Sequence, residues 1–345
     1  MGILQLAVLG ATIGLPMGYA MQRTNLCFSS AYREALLRRK TVLLHAILLA
    51  VLIQMVGVGL LVQFNVGGIR LNVVPFYWIT AILGGFAFGI AMVYAEGCSS
   101  TVWYRVGNGN MGSLVTLIGF ALGEAATTFG PLRGLRETLQ GAEITLSSGA
   151  PATLPNAIGV SPWLLVLPIV LAGGWWLARG KAGSYLGGWD WRLAGLVLGI
   201  IGAAAWVVSW PTGWSYGIGI VGATGAIVRA VFEGPRVLNW GSFVVLTMPV
   251  GALVAALHTK QFRWQIPDWP STFRMTTAGA VMGISATLAG GCNIGHGFSG
   301  LPTLALSSLT ATLFTFLGAW TGNYVRFTRT SRQVACAECS EGIGA

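Results

Sequence analysis

Nine stretches of this chain run for about 20 residues with almost no charge, and that feature limits the fold more than any other. They cover residues 3–20, 41–64, 76–95, 111–130, 161–178, 191–210, 239–257, 272–289 and 303–325. Crossing about 30 Å of hydrocarbon takes roughly 20 apolar helical residues. In lipid only a helix or a closed barrel satisfies its own backbone, so each stretch is read as a transmembrane helix. Composition agrees, with 54% of the 345 residues hydrophobic and 9% charged, against about 25% charged in a soluble domain. The stretches extend over nearly the whole chain, so one membrane domain is expected. A tenth candidate, 215–230, is shorter and carries four glycines and Arg229; it reads as a piece dipping back into the membrane.

The formal charge of +10 does not point to nucleic acid, because the cations lie between apolar runs rather than on one face or arm. They are topology signals instead. With nine spans and the N-terminus outside, fifteen of the twenty Lys and Arg fall on the inner side, as the positive-inside rule requires. Arg70, Arg133, Arg136, Arg229 and Arg236 remain outside. Ten spans would split the cations eleven to nine and leave no bias. The first twenty residues lack a cationic start and read as a retained span.

A repeat accompanies this topology. Residues 84–98, GGFAFGIAMVYAEGC, and 278–292, AGAVMGISATLAGGC, share six of fifteen positions, including Cys98 and Cys292. Residues 14–27, GLPMGYAMQRTNLC, keep the frame: each copy has a Gly thirteen and another nine residues before its Cys. Five crossings separate Cys98 from Cys292, which inverts their orientation, so an inverted-topology repeat is expected. Its halves are 1–130 and 190–326, with 161–178 linking them inside a membrane domain of 1–332 and a tail of 333–345. A fourth copy, 195–208, keeps the glycines and lacks the Cys. The Gly-x-x-x-Gly spacing lets helix backbones approach closely. The Gly-rich stretch at each Cys breaks the helix where a protein-covered cavity must satisfy it.

Three readings of Cys27, Cys98 and Cys292 follow from the residues alone. They are buried packing groups, soft-metal ligands helped by nearby Met17, Met21, Met92 and Met282, or a substrate route lined by thiols. A thiol oxidoreductase would need a resolving Cys beside each nucleophile, and only Cys336 and Cys339 in the tail have that spacing. The order from outside to inside is expected to be Cys292, Cys98, Cys27, with all three reduced and no metal bound.

The motifs MGYAMQRTNLCFSSAYRE (17–34), YAEGCSSTVWYRVGNGNMGSL (94–114) and GGCNIGHGFSGLP (290–302) resemble the YeeE/YedE sulphur-transport family of bacterial inner-membrane proteins. The resemblance runs from about residue 3 to 326. It implies an all-α, multi-pass fold of nine spans, with inverted pseudo-symmetry, an hourglass shape and short re-entrant helices entering from both faces. It implies thiosulfate uptake with no enzymatic step and no cofactor. The anion would pass by S–H···S contacts along Cys27, Cys98 and Cys292, and relatives also serve other sulphur or selenium species. Some members work beside a small cytoplasmic TusA-like sulfur carrier, which a thirteen-residue tail cannot contain.

Around that route, Glu96 is a candidate to hold the broken loop through backbone N–H groups or to carry a proton. Glu124 is expected to pair with a neighbouring helix. His296 is a candidate for an anion contact at the outer mouth, and His45 for a helix–helix bond. Gln22, Asn25 and Asn293 are candidate neutral donors. Arg133, Arg136, Arg229 and Arg236 are candidates for an outer field that attracts anions.

Overall fold

A computed structural model describes residues 1–66, 72–146, 149–214 and 216–329. Arg70, Arg332, Cys336 and Cys339 lie outside the described residues. Fourteen α-helices succeed one another there. They are α1 (Ile3–Thr24), α2 (Phe28–Arg38), α3 (Val42–Gln63), α4 (Trp78–Tyr94), α5 (Ser99–Gly107), α6 (Met111–Thr128) and α7 (Arg133–Gln140), then α8 (Leu154–Ile158), α9 (Pro162–Ala178), α10 (Trp191–Ser209), α11 (Val221–Glu233), α12 (Trp240–His258), α13 (Trp269–Ala289) and α14 (Leu306–Asn323). The one sheet among the described residues pairs Phe76–Tyr77 with Glu143–Ile144.

The protein is an all-α, multi-pass membrane protein. Six helical stretches among the described residues are long and apolar enough to cross a membrane, or seven if α13 and the segment after it, bent by 43°, are one span. The other two apolar runs of the sequence form α9, which has 17 residues, and α14, which falls outside that set. At 1.5 Å per residue, the 13-residue α11 spans roughly 20 Å, too little for a bilayer about 30 Å thick. The tenth candidate thus forms a short helix.

Packing joins distant segments. α1 lies on α12, α3 on α10, α4 on both α13 and α14, and α6 on α13. The glycines of the cysteine-bearing repeats make these contacts. A Cβ at Gly14, Gly18, Gly85, Gly89, Gly279 or Gly283 would fall closer than 3.0 Å to a carbonyl oxygen of the facing helix. In a bilayer, close van der Waals packing replaces the hydrophobic drive between helices. These positions therefore set how near the long helices can stand. Surfaces away from the contacts carry exposed apolar side chains such as Leu164, Leu171, Trp175 and Val231.

Candidate functional site: three cysteine turns

The long helices α1, α4 and α13 end in one backbone motif. Two residues before each cysteine the chain turns left-handed, at Asn25 (φ 51°), Glu96 (φ 59°) and Gly290 (φ 81°). The next N–H then reaches back to a carbonyl in the last helical turn. Leu26 donates to Met21 at 3.2 Å, Gly97 to Met92 at 3.1 Å and Gly291 to Ala286 at 2.9 Å. This closure satisfies carbonyls that a helix end would otherwise leave open. It is a deliberate stop.

The cysteine follows in extended conformation and begins a second, shorter helix. Cys27 caps α2, Cys98 caps α5, and Cys292 caps a π-helical turn, Asn293–Gly300. Each carbonyl accepts the first bond of the new helix, from Ala31 at 2.8 Å, Val102 at 3.1 Å and His296 at 2.7 Å. Ser, Thr, Asp and Asn are the usual residues at such a position, because their oxygen accepts the free N–H groups. Cysteine is a poor acceptor. The three helix starts therefore direct their N–H groups and positive dipole ends toward the cysteines.

All three thiols are free and fully buried. The Cys98 sulfur lies 3.3 Å from Ser100 Oγ and 3.2 Å from Thr101 Oγ1. The Cys27 side chain neighbours Cys98, Thr101 and the backbone of Ser30. Cys292 lies against the Ser99 hydroxyl and the backbone of Ile220, Ile294 and Gly295. Cys98 and its successor Ser99 are thus neighbours of the other two cysteines, one each. Ile220 caps α11, so a fourth helix start meets the Cys292 thiol. No group of three or more His, Cys, Asp or Glu side chains placed for a metal ion occurs among the described residues.

Two cavities approach this cluster. One of 740 Å³ has Cys292, Gly291 and Gly295 in its wall, with Glu124, Arg136, Tyr216 and Arg229. Another of 330 Å³ is lined by Ser29, Ser30, Arg33, Glu96, Arg105 and Arg326. They share no lining residue, and Cys27 and Cys98 line neither. An apolar groove of 510 Å³ along Leu49, Ile53, Val170 and Trp191 is separate from both.

The remaining candidates fall into place around the turns. Among the described residues the Glu96 carboxylate meets no backbone N–H; it binds Arg274 and Arg326, each at 2.7 Å, while Arg105 donates to its carbonyl at 3.2 Å. A left-handed, non-glycine residue is strained, and the paired arginines hold it there. We expect Glu96→Gln to halve this network and loosen the Cys98 turn, so cysteine-directed labelling of Cys98 should speed up. Unchanged labelling would show that the backbone holds itself. His296 is enclosed, with Nε2 3.0 Å from the Ala289 carbonyl and Nδ1 3.1 Å from Ser308 Oγ. A carbonyl only accepts, so Nε2 donates, and the ring braces the α13 end instead of facing the cavity.

Asn293 donates to the Met92 thioether at 3.3 Å, and Gln22 accepts from Asn108 at 3.1 Å. Asn25 supplies a left-handed stop. His45 donates Nδ1 to the Thr41 carbonyl at 2.7 Å and stacks on Trp176. Glu124 does reach a neighbouring helix, accepting from Gly225 N–H at 2.9 Å. Of the four candidate arginines, Arg136 and Arg229 line the larger cavity. Arg229 is paired with Glu233, and Arg133 with Glu137 away from the cavity. Arg236 lies in the 3₁₀ turn Pro235–Val237. Sequence reasoning passed over Ser99, Ser100, Thr101 and Arg105. The hydroxyl run directly after Cys98 was the available signal.

Comparison with known proteins decides the family. The sequence model described as sulphur transport matches residues 23–321. The chain belongs to the sulphur transport family. Its relatives in that family include the thiosulfate transporter TsuA of Spirochaeta thermophila, 33% identical over 93% of this chain and 99% of the relative. The thiosulfate transporter TsuA of Escherichia coli is 28% identical over 95% of this chain and 97% of its own length. The probable transporter YedE of Escherichia coli is 28% identical over 30% of this chain and 25% of its own length. The family match encloses all three cysteine turns.

Proposed function

We propose that this chain imports thiosulfate across the bacterial inner membrane, handing the anion along Cys292, Cys98 and Cys27 in that order. The contact chain between two separate cavities carries this reading: Cys292 to Ser99, and Cys98 to Cys27. Thiosulfate is a dianion with a soft terminal sulfur. A neutral thiol offers it a weak donor and a polarisable surface without adding negative charge. The helix starts beside each thiol offer N–H groups to the oxygens. Several weak sites in line let the anion enter and also leave.

The positive-inside bias supports an orientation with the N-terminus and the 740 Å³ cavity outside, and the 330 Å³ cavity and the C-terminus on the cytoplasmic side. Helix packing supports the inverted repeat behind this arrangement. Exchanging the halves turns α1 on α12 into α10 on α3, and α4 on α14 into α13 on α6, all of which are packed pairs. The cationic inner vestibule fits release toward a TusA-like sulfur carrier.

Uptake of labelled thiosulfate into vesicles holding the purified protein tests the reading, with sulfate and Cu(I) as competitors. Saturable uptake that neither competitor blocks is expected. Block by Cu(I) would restore the soft-metal reading. Among the outer arginines, Arg136→Gln should raise the thiosulfate KM by roughly threefold to tenfold at low salt with little change in kcat, since a focused field raises local anion concentration. Arg133→Gln should do little, because Arg133 is paired off the cavity. Equal effects of the two would argue against the focused field.

A further inference from the structure

The 740 Å³ cavity contains a buried carboxyl that the cysteine route does not use. Glu124 stands inside α6, 1% exposed, with Oε1 held by the Gly225 N–H at 2.9 Å. Its other oxygen, Oε2, is buried and has no hydrogen-bond partner among the described residues. The position is built for this acid: a Cβ at residue 225 would lie 2.6 Å from Oε1, so only glycine lets the α11 backbone close on it. An ionised carboxylate with one hydrogen bond is expensive to bury. Arg136, which lines the same cavity, likewise has a buried Nε without a partner among the described residues. Two unsatisfied polar groups thus share a cavity with Cys292.

We propose that Glu124 is a proton-linked gate of this cavity, taking up one proton at Oε2 when a thiosulfate dianion binds. This inference rests on the transport reading above. A proton from the outer water forms the Oε2–H bond, and no bond of the anion forms or breaks. The carboxyl then donates to an anion oxygen, with Arg136 Nε as a second donor. When the anion moves to the cysteines the proton returns to water. Ionised, the same group sets a negative charge beside a dianion and excludes it. The other charged or titratable groups facing the cavity are Arg136 from α7, Arg229 from α11 with its partner Glu233, Tyr77, Tyr216 and Cys292. α5 and α13 bring no titratable side chain to it.

Thiosulfate binding to the full-length protein, measured by titration calorimetry between about pH 5 and 9, tests the gate; buried carboxyls titrate within that span. Wild-type affinity should fall by roughly tenfold per pH unit at the alkaline end. Repeating the titration in buffers of different ionisation enthalpy should show close to one proton taken up per anion there. Glu124→Gln keeps the Gly225 bond and a neutral donor, so its affinity should stay flat with pH; Glu124→Asp should keep the slope. A Glu124→Gln profile as steep as wild type would overturn the gate, as would wild-type binding without proton uptake. A wild-type protein that binds no thiosulfate at any pH would overturn the transport reading itself, and the gate with it.

Discussion

Cells that depend on this protein for thiosulfate as sole sulphur source should stop growing when Cys98 is replaced by Ala, and nearly so with Ser. Cys98 is the middle of the contact chain, next to Cys27 and one residue from the Ser99 that touches Cys292. A hydrogen bond to a charged group contributes about 1.5–3 kcal/mol, so Cys98→Ala should cut uptake roughly 10- to 150-fold. Serine keeps size and donor but loses the soft sulfur. Its stronger hydroxyl would also bond Ser100 and Thr101, which already lie 3.3 and 3.2 Å from the thiol. Cys27→Ala and Cys292→Ala should impair uptake less, because each ends the line and neighbouring helix N–H groups remain. Undiminished uptake by Cys98→Ser in vesicles would end the relay proposal.

The second large effect concerns assembly rather than transport. Gly283→Val should prevent α13 from seating on α6, since a Cβ there would fall closer than 3.0 Å to the Phe120 carbonyl oxygen and the Glu124 nitrogen. Backbone cannot swing aside as a side-chain tip can, so the overpacking cost should be about 3 kcal/mol or more. The purified variant should lose its single sharp elution peak and melt well below wild type. Gly174→Val is the control. It lies in an apolar helix as well, but a Cβ there would meet no heavy atom within 4 Å, and its melting should barely change. Equal behaviour of the two would show that the close helix approach is not what holds the pair together.

These two glycines mark the border of what residues reveal by themselves. Gly174 and Gly283 both sit in apolar helices, and although Gly283 belongs to the repeated frame before Cys292, nothing along the chain says which of the two a facing backbone crowds. Only the partner helix does. The glycine frame before each cysteine was legible because a repeated spacing survives in the chain. The reason for it, a carbonyl on a helix far away in sequence, was not. The same holds for Glu96. Its place two residues before Cys98 was plain in the sequence, whereas its two arginine partners lie 178 and 230 residues further on.

What the sequence alone determined is the membrane class, the helical stretches, the three cysteine breaks and the family motifs, because hydropathy and helix-stopping chemistry act over a few residues. Tertiary structure decided which thiols are neighbours, that His296 is enclosed, that Arg136 lines a cavity and Arg133 does not, and that α11 is too short to cross. Each of these depends on which distant helices meet. In a bilayer that choice rests on backbone fit between surfaces equally apolar in composition, and fit of that kind leaves little trace along the chain.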